Sequence, residues 1–284
     1  MQEEHPMLHS IFRPVLLVVF IAFTGAAGAA EQDATKSSGD SAGHPLLTSN
    51  WYVGLGAFYA TASTNASYDS TTGVGTNVNF ENMLGLDEHT SVVLASFRWR
   101  FAENWALSAE YFNLPRDGKQ VLQQDITWGD TTYPAGSNVK SDFNVEDIRV
   151  MVDWSFFKRK DKEVGIGFGL HVMGLDGSIS GTGFSEERAD VLAPLPVLSV
   201  HGNFALTERW AVAMRVDWLS VNYQDYSGGL RATGVDVAYQ PFRNVGFAFG
   251  YRSLALDVDV DSGDWIGTAD VNFTGPSFQV YATF

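Results

Sequence analysis

The sequence contains no cysteine among its 284 residues, and it has few cations. The first absence excludes a disulfide framework and a thiolate metal site. Lys and Arg together number 18 against 33 Asp and Glu, so the formal charge is −15. A chain this acidic lacks the basic surface that nucleic acids require, and we expect no nucleic-acid partner.

Long hydrophobic runs are also missing, apart from one near the N-terminus. The stretch "PVLLVVFIAF" at 14–23 is shorter than the roughly 20 residues that a membrane-spanning helix needs. Arg13 precedes it, and the small residues "TGAAGAA" follow it. This order predicts a secretory signal peptide over residues 1–30. Residues 31–50 are polar, rich in Gly and Ser, and without periodicity, so we expect a flexible periplasmic leader.

What the rest of the chain has is alternation. In "VLASFRWRF", for example, Val93, Ala95 and Phe97 share one face of an extended segment, while Ser96 and Arg98 share the other. Ten such segments recur between residues 51 and 284, and the connections between them are alternately short, as at 157–163, and long, as at 116–142 and 178–192. Turn signals such as "WGDTTYPAGS" in the two long early loops predict a hairpin that projects beyond the membrane. The segments have about the 9–11 residues that a tilted strand needs to cross hydrocarbon, and aromatic residues gather near the short turns.

The pattern predicts an all-β fold over residues 51–284: a transmembrane antiparallel up-and-down β-barrel of ten strands, with eight as the alternative. Because lipid cannot satisfy an open sheet edge, the last strand must pair with the first. After Arg252 the apolar residues move to the other alternating positions, at Leu254, Leu256 and Val258. A β-bulge or the end of the apolar layer would explain this change.

The face opposite the apolar one carries charges of both signs. We expect these side chains to line the lumen as a charge network: Arg98, Arg100, Glu110, Asp147, Arg149, Asp153, Arg215, Asp217 and Asp236. Buried charges must pair, so one interpretation is a plugged lumen. The other is a narrow polar channel whose charges tune passage. Mixed charge in a narrow barrel favours the plug.

Two further groups of residues suggest chemistry only weakly. Ser199, His201 and Asn203 share the inner face of one strand, but residues two apart can form a nucleophile–base contact only loosely, and a lumen lining is favoured. The segment "DVDVDSGD" offers Asp257, Asp259 and Asp261 as weak metal candidates. It lacks the Gly and Glu spacing of an EF-hand, which favours a solvated acidic loop. We therefore expect no catalytic residue, no resident metal and no cofactor.

The final residues carry a family resemblance. In "FQVYATF", Phe278, Val280, Ala282 and Phe284 alternate up to the last position. This resembles bacterial outer-membrane β-barrel proteins, in particular small monomeric barrels such as the OmpW and OmpA types. A count of ten strands would instead equal that of the omptin proteases, whose acidic and histidine residues at the rim are matched only in part by Asp87, Glu88 and His89.

The resemblance implies a location and partners. It implies the outer membrane of a Gram-negative bacterium, with the N-terminus and the short turns in the periplasm. The last strand would be the signal for the outer-membrane insertion machinery, and the monomeric barrel would contact membrane lipid and lipopolysaccharide. The expected function is structural or that of a narrow channel for small solutes. The alternatives are a lipase-like or omptin-like hydrolase and an adhesin or receptor acting through surface loops.

Overall fold

The computed structural model describes residues 43–69, 75–223, 226–262 and 265–284. Ten long antiparallel strands form one closed sheet, so the ten-strand prediction is confirmed and the eight-strand alternative is wrong. In chain order they are β1 (Trp51–Asp69), β2 (His89–Ala102), β3 (Trp105–Val121), β4 (Asn138–Lys158), β5 (Lys162–Gly181), β6 (Glu187–Ala205), β7 (Trp210–Tyr223), β8 (Tyr226–Tyr239), β9 (Val245–Ser262) and β10 (Trp265–Thr283). Within the described ranges, no helix is long and apolar enough to cross a membrane. The predicted signal peptide lies outside the described residues.

The barrel closes where β1 meets β10. Tyr52 pairs with Thr283 and Asp69 pairs with Ile266, and Trp51 and Phe284 exchange two backbone hydrogen bonds of 3.0 Å. Every other strand pairs with its neighbours in the chain. The ring therefore removes the exposed edges that a flat sheet would present to lipid.

The outer surface carries the apolar face of each strand. Leu55 is 61% exposed, Phe168 61% and Phe249 58%. A water-soluble protein would not leave so large an apolar surface exposed. Aromatic residues ring one end of this apolar band, and several stack on one another, as Trp51 does on Trp99 at 5.4 Å. Such a band with an aromatic belt matches the hydrocarbon core and interface of a bilayer.

At the opposite end the strands continue beyond the band, where the sequence had suggested loops. The predicted long loop at 178–192 is wrong, because β5 runs to Gly181 and β6 begins at Glu187. The extended parts of the strands pair with each other, so their backbone N–H and C=O groups are hydrogen-bonded. Polar side chains in these parts therefore do not end the strands. We call this end of the barrel the outer end.

Two segments fold over the outer end. The first contains a two-residue strand (Val78–Asn79) and helix α2 (Phe80–Leu84), and the second is a hairpin of Ile126–Trp128 with Thr131–Tyr133. We call them together the lid. The sequence predicted a hairpin that projects outward. Instead, Phe80 stacks on Phe143 of the wall at 5.0 Å, and Trp128 packs edge-on against Phe80 at 5.6 Å. These apolar side chains turn the lid inward.

The other end is capped from below by a short helix, α1 (Pro45–Thr48). Leu46 and Leu47 are 5% and 1% exposed and pack among Ala211, Ala238 and Tyr281 inside the mouth of the barrel. The His44 Nδ1 atom accepts a hydrogen bond from Leu46 N at 3.1 Å, and burial lowers the pKa of this imidazole. The predicted leader thus ends in a folded cap, at 43–50.

The lumen has two halves with different chemistry. Near α1 the inward side chains are mostly charged or polar, while towards the lid they are mostly apolar, as at Phe112, Met173 and Phe273, apart from the buried Arg116–Glu81 ion pair. Strand β9 shows the switch: the register against β8 and β10 is continuous through Arg252, so no bulge is present. The apolar residues move from the lipid face to the inner face because the strand leaves the apolar band there.

Candidate functional site

The predicted charged residues all face the lumen half nearest α1. Strand alternation brings them there, because β2, β3, β4, β7 and β8 each point one charged row inward. The structure adds Arg252, Glu163 and His171 to the predicted set. Together five guanidinium groups face six carboxylates, and a protonated His171 would balance the charge.

One centre of the network is Glu110 on β3. Its carboxylate is ion-paired with Arg215 on β7, through two hydrogen bonds of which one is 3.0 Å, and with Arg252 on β9 at 3.0 Å. Arg252 also lies 3.4 Å from Asp236 on β8. Glu110 and Arg215 are on opposite walls and 105 residues apart in the chain, so this cluster crosses the lumen.

Asp217 on β7 is the second centre and is fully buried, at 0% exposure. It accepts hydrogen bonds from Arg149 Nε at 2.6 Å and Arg149 Nη2 at 2.9 Å, which is a bidentate pair. His171 bridges two carboxylates, with Nδ1 at 2.9 Å from Asp147 and Nε2 at 3.4 Å from Asp217. Carboxylate oxygens only accept, so an imidazolium satisfies both contacts.

A third centre lies closer to α1. Arg100 on β2 donates two hydrogen bonds to Glu163 on β5, of 2.7 and 2.6 Å. Ser155 Oγ and Asn203 Nδ2 also donate to Glu163. This carboxylate is 2% exposed, so its charge is neutralised inside the protein.

Arg98 and Asp153 are the two predicted residues outside these clusters. Arg98 donates to the backbone oxygen of Leu46 in α1 at 2.5 Å, which ties the cap to the wall. Asp153 accepts from Ser108 Oγ at 2.6 Å and occupies space beside Gly167. A Cβ atom at Gly167 would lie 2.4 Å from Asp153 Oδ1, so the glycine makes room for the carboxylate.

Little free volume is left among these side chains. The cavity among Arg98, Glu110, Arg215 and their neighbours measures about 150 Å³. At about 30 Å³ of liquid volume per water, it has room for roughly five molecules. With α1 below it, this half of the lumen is filled by protein.

Ser199, His201 and Asn203 do face inward, but they form no nucleophile–base pair. Among the described residues, Ser199 Oγ and His201 Nδ1 have no hydrogen-bond partner, although both are buried. His201 Nδ1 lies 3.9 Å from Asp153 Oδ1, and Asn203 instead binds Glu163. A hydrolytic dyad requires a direct hydrogen bond between nucleophile and base.

The weak metal candidates and the rim residues lie near the outer end of the barrel. Asp257 and Asp259 are exposed near the outer end of β9, and the side chain of Asp261 is not among those that the structure describes. Across the described ranges, no three acidic or histidine side chains are grouped as a metal ion would require. At the rim, the His89 ring stacks on Tyr59 at 5.8 Å, and its Nδ1 lies 3.2 Å from Thr61 Oγ1.

The residues expected to form the insertion signal lie on the lipid face of β10. Phe278 is 39% exposed, Val280 42% and Phe284 52%, with Ala282 between them. The outward row is therefore available for contact, and its recognition by an insertion machinery stays a prediction.

Sequence reasoning missed three network residues for identifiable reasons. The short turn predicted at 157–163 includes Glu163, whereas β5 begins at Lys162. His171 and Arg252 lie at inward alternating positions of β5 and β9, but alternation alone assigns them no partners. The apolar lining of the outer half was signalled by Leu254 and Leu256, whose change of face was noted without being connected to a chamber.

Comparison with known sequences gives no relative. No protein-family model matches the chain, and no curated protein matches it.

Comparison with solved structures gives the fold. The outer-membrane protease OmpT from Escherichia coli superposes with a TM-score of 0.52 at 9% identity, covering 83% of this chain and 97% of that one. Ail, the attachment invasion locus protein of Yersinia pestis, gives 0.35 at 10% identity, covering 81% and 99%. The Pseudomonas putida toluene transporter TodX gives 0.31 at 8% identity, covering 84% and 90%. Of these three, OmpT alone exceeds a TM-score of 0.5.

The chain therefore has the fold of bacterial outer-membrane β-barrels, without assignment to a subfamily. Its exposed apolar band requires hydrocarbon around it, and band and fold together locate it in the outer membrane of a Gram-negative bacterium. OmpT is only 9% identical to this chain, so the likeness shows the fold and selects no activity.

Proposed function

We propose that the protein is a closed structural barrel of the outer membrane whose lower lumen blocks ions and water-soluble solutes. The observation that supports this is the ion-pair network, which crosses the lumen at Glu110–Arg215 and Asp217–Arg149 and leaves only a small cavity. A permeating ion would have to break pairs that are held in a medium of low dielectric constant, where unpaired charges are costly.

The proposal extends to orientation and activity. The α1 cap and the short turns face the periplasm, and the lid faces the exterior. The protein is not an enzyme in this proposal, because Ser199 and His201 do not contact each other and His89 contacts Thr61 and Tyr59 instead of a carboxylate.

Planar-bilayer recording tests the closed lumen. The purified wild-type protein should give no unitary current steps at any applied voltage at which the bilayer is stable. The double variant Glu110→Ala/Arg215→Ala should give steps, because it removes two large side chains that meet across the lumen. Steady currents through the wild-type barrel would contradict the proposal.

A matched control is available outside the lumen. Arg188 and Asp176 form an ion pair of 2.6 Å near the outer end, with side chains 62% and 36% exposed. The double variant Asp176→Ala/Arg188→Ala removes the same two types of charge from the surface. It should stay silent in the bilayer, which would assign the current to loss of the network.

A further inference from the structure

The ladder between β6 and β7 is incomplete at the outer end. These strands pair from Ala205 with Ala211 as far as Leu198 with Trp218. Continued, the register would set Leu219 opposite Val197, but among the described residues no pair of these two strands lies beyond Trp218. Residues 219–223 of β7 pair with β8 alone, and residues 187–197 of β6 pair with β5 alone. We call this unpaired stretch the seam.

Two prolines lie on the β6 side of the seam. Pro194 and Pro196 pair with Val172 and Leu170 of β5, so the ladder on that side is intact. Proline has no N–H to donate, and within sheets it is confined to edges and bulges. Because the two prolines cannot donate backbone hydrogen bonds, they make the side of β6 that faces β7 a sheet edge.

The seam borders the apolar band. Leu170, beside Pro196, is 40% exposed on the lipid face, and Leu198 and Trp218 at the last closed rung are 58% and 57% exposed. An unpaired edge in full contact with hydrocarbon is unfavourable, so its position at the border of the band is where it costs least.

Behind the seam lies a cavity of about 730 Å³ beneath the lid. Its walls are mostly apolar and include Phe80, Phe143, Met173, Leu195, Leu256 and Val271. Its described lining includes three polar side chains without aromatic character, Thr64, Ser227 and Asp257. Cavities that bind small molecules measure about 300–1,000 Å³, and apolar cavities exclude water and take apolar guests. We call it the outer chamber.

The floor of the outer chamber is the ion-pair network. Met173 is fully buried one inward position beyond His171 of the network on β5, so an apolar guest meets a charged barrier towards the periplasm. The lid covers the top through Phe80 and Trp128. The seam is the side of the chamber where backbone pairing is missing.

We propose that the outer chamber is a binding site for one small hydrocarbon-rich molecule, which enters from the outer leaflet through the seam. A free hydrocarbon and the acyl chain of a lipid share this chemistry, which is a flexible apolar chain of about the volume of a drug-sized molecule. Such a chain moves from lipid into an apolar cavity without exposing itself to water, and the unpaired backbone groups of the seam offer hydrogen bonds to a polar end. The molecule does not continue through the charged half.

Photolabelling in proteoliposomes tests the chamber. The probe is hexadecane carrying a diazirine, with a phosphatidylcholine that carries the same group on an acyl chain in a parallel arm. Labelled peptides from wild-type protein should include Met173 and Leu256, and Ala269→Trp should reduce this labelling at least tenfold by filling the chamber. Ala57→Trp adds the same side chain on the lipid face and should leave it unchanged.

The outcomes separate the two sources of the chain. Chamber labelling by free hexadecane alone assigns a free hydrocarbon, and labelling by the lipid as well assigns an acyl chain. Label confined to lipid-facing residues such as Phe168 would overturn the proposal. Unheated electrophoresis, in which folded barrels migrate differently from heated ones, verifies that each variant is folded.

An engineered disulfide tests the entrance. The chain has no native cysteine, so only the two introduced thiols can form the bond. Val197→Cys/Leu219→Cys should close the seam on oxidation and reduce chamber labelling at least tenfold, with recovery on reduction. Val200→Cys/Val216→Cys joins the same strands at a rung that is already paired and should not reduce labelling. Full labelling of the oxidised seam variant would refute entry through the seam. These readouts do not depend on ion conductance, so they can fail while the closed lumen stands.

Discussion

Asp217→Asn should destabilise the barrel far more than a conservative change of one atom suggests. Asp217 is at 0% exposure and accepts both hydrogen bonds of the Arg149 fork, at 2.6 and 2.9 Å, while Arg215 Nε lies 3.5 Å away. The amide keeps the volume of the carboxylate but leaves two guanidinium groups and His171 without this charge. Breaking a buried pair by removing one partner costs about 3–5 kcal/mol.

This cost corresponds to a drop of roughly 10²–10⁴-fold in the folding equilibrium constant. Urea unfolding in lipid vesicles, followed by tryptophan fluorescence and extrapolated linearly, measures it. Asp236→Asn is the matched control, because Asp236 contacts Arg252 at 3.4 Å with a side chain 22% exposed, and Arg252 keeps Glu110. Its expected cost is about 1 kcal/mol or less.

A second-site change sharpens the test. Arg149→Gln in the Asp217→Asn background removes one of the unpaired charges, so the double variant should lose less than the sum of the two single losses. Equal losses for Asp217→Asn and Asp236→Asn would refute the view that pairing inside the lumen sets the stability of this half.

Three other substitutions probe neighbouring features. Gly167→Val should cost about 1–3 kcal/mol in the same urea assay, because its Cβ would lie 2.4 Å from Asp153 Oδ1; no loss would mean that the carboxylate moves freely. Leu47→Ala should cost about 2–5 kcal/mol and increase proteolysis of the cap, since Leu47 is 1% exposed; unchanged proteolysis would contradict a packed α1. Glu81→Gln should speed hydrogen exchange in the lid, because Glu81 ties it to Arg116 of the wall at 2.5 Å; unchanged exchange would show that apolar packing alone holds it.

The architecture could be predicted because it depends on local patterns. Alternation over Trp51 to Phe284 gave ten strands and the lipid-facing side, and hydrocarbon then required closure between the first and last strands. The strand count and the lipid-facing side depend on the alternating direction of side chains along each strand, and this direction can be read from the sequence.

The partners inside the lumen could not be predicted in the same way. Glu110 meets Arg215 only after the ring has closed, and the sequence does not state which inward rows lie at the same height. His171 bridges Asp147 and Asp217 because β4, β5 and β7 converge there, which depends on barrel size and strand stagger.

The loops were misjudged because polar residues were taken as an end of the strand. In β1, residues such as Ser63 and Ser67 continue the ladder with β10 beyond the apolar band. The lid was misjudged for the opposite reason, since Tyr133 is buried at 0% exposure and its hydroxyl donates to Ile179 O at 3.0 Å. Burial, together with the charge of Glu187, raises the pKa of this tyrosine.

The contact between β1 and β10 has a consequence for the order of assembly. Tyr52 and Thr283 are neighbours in the barrel although nearly all of its residues separate them in the chain. Strands made early can form hairpins with adjacent segments, but β1 keeps one side unmatched until β10 is available to pair with it. Until the ring closes, the unmatched edge of β1 and the apolar face lack their final partners, so the chain is most prone to aggregate before this contact forms.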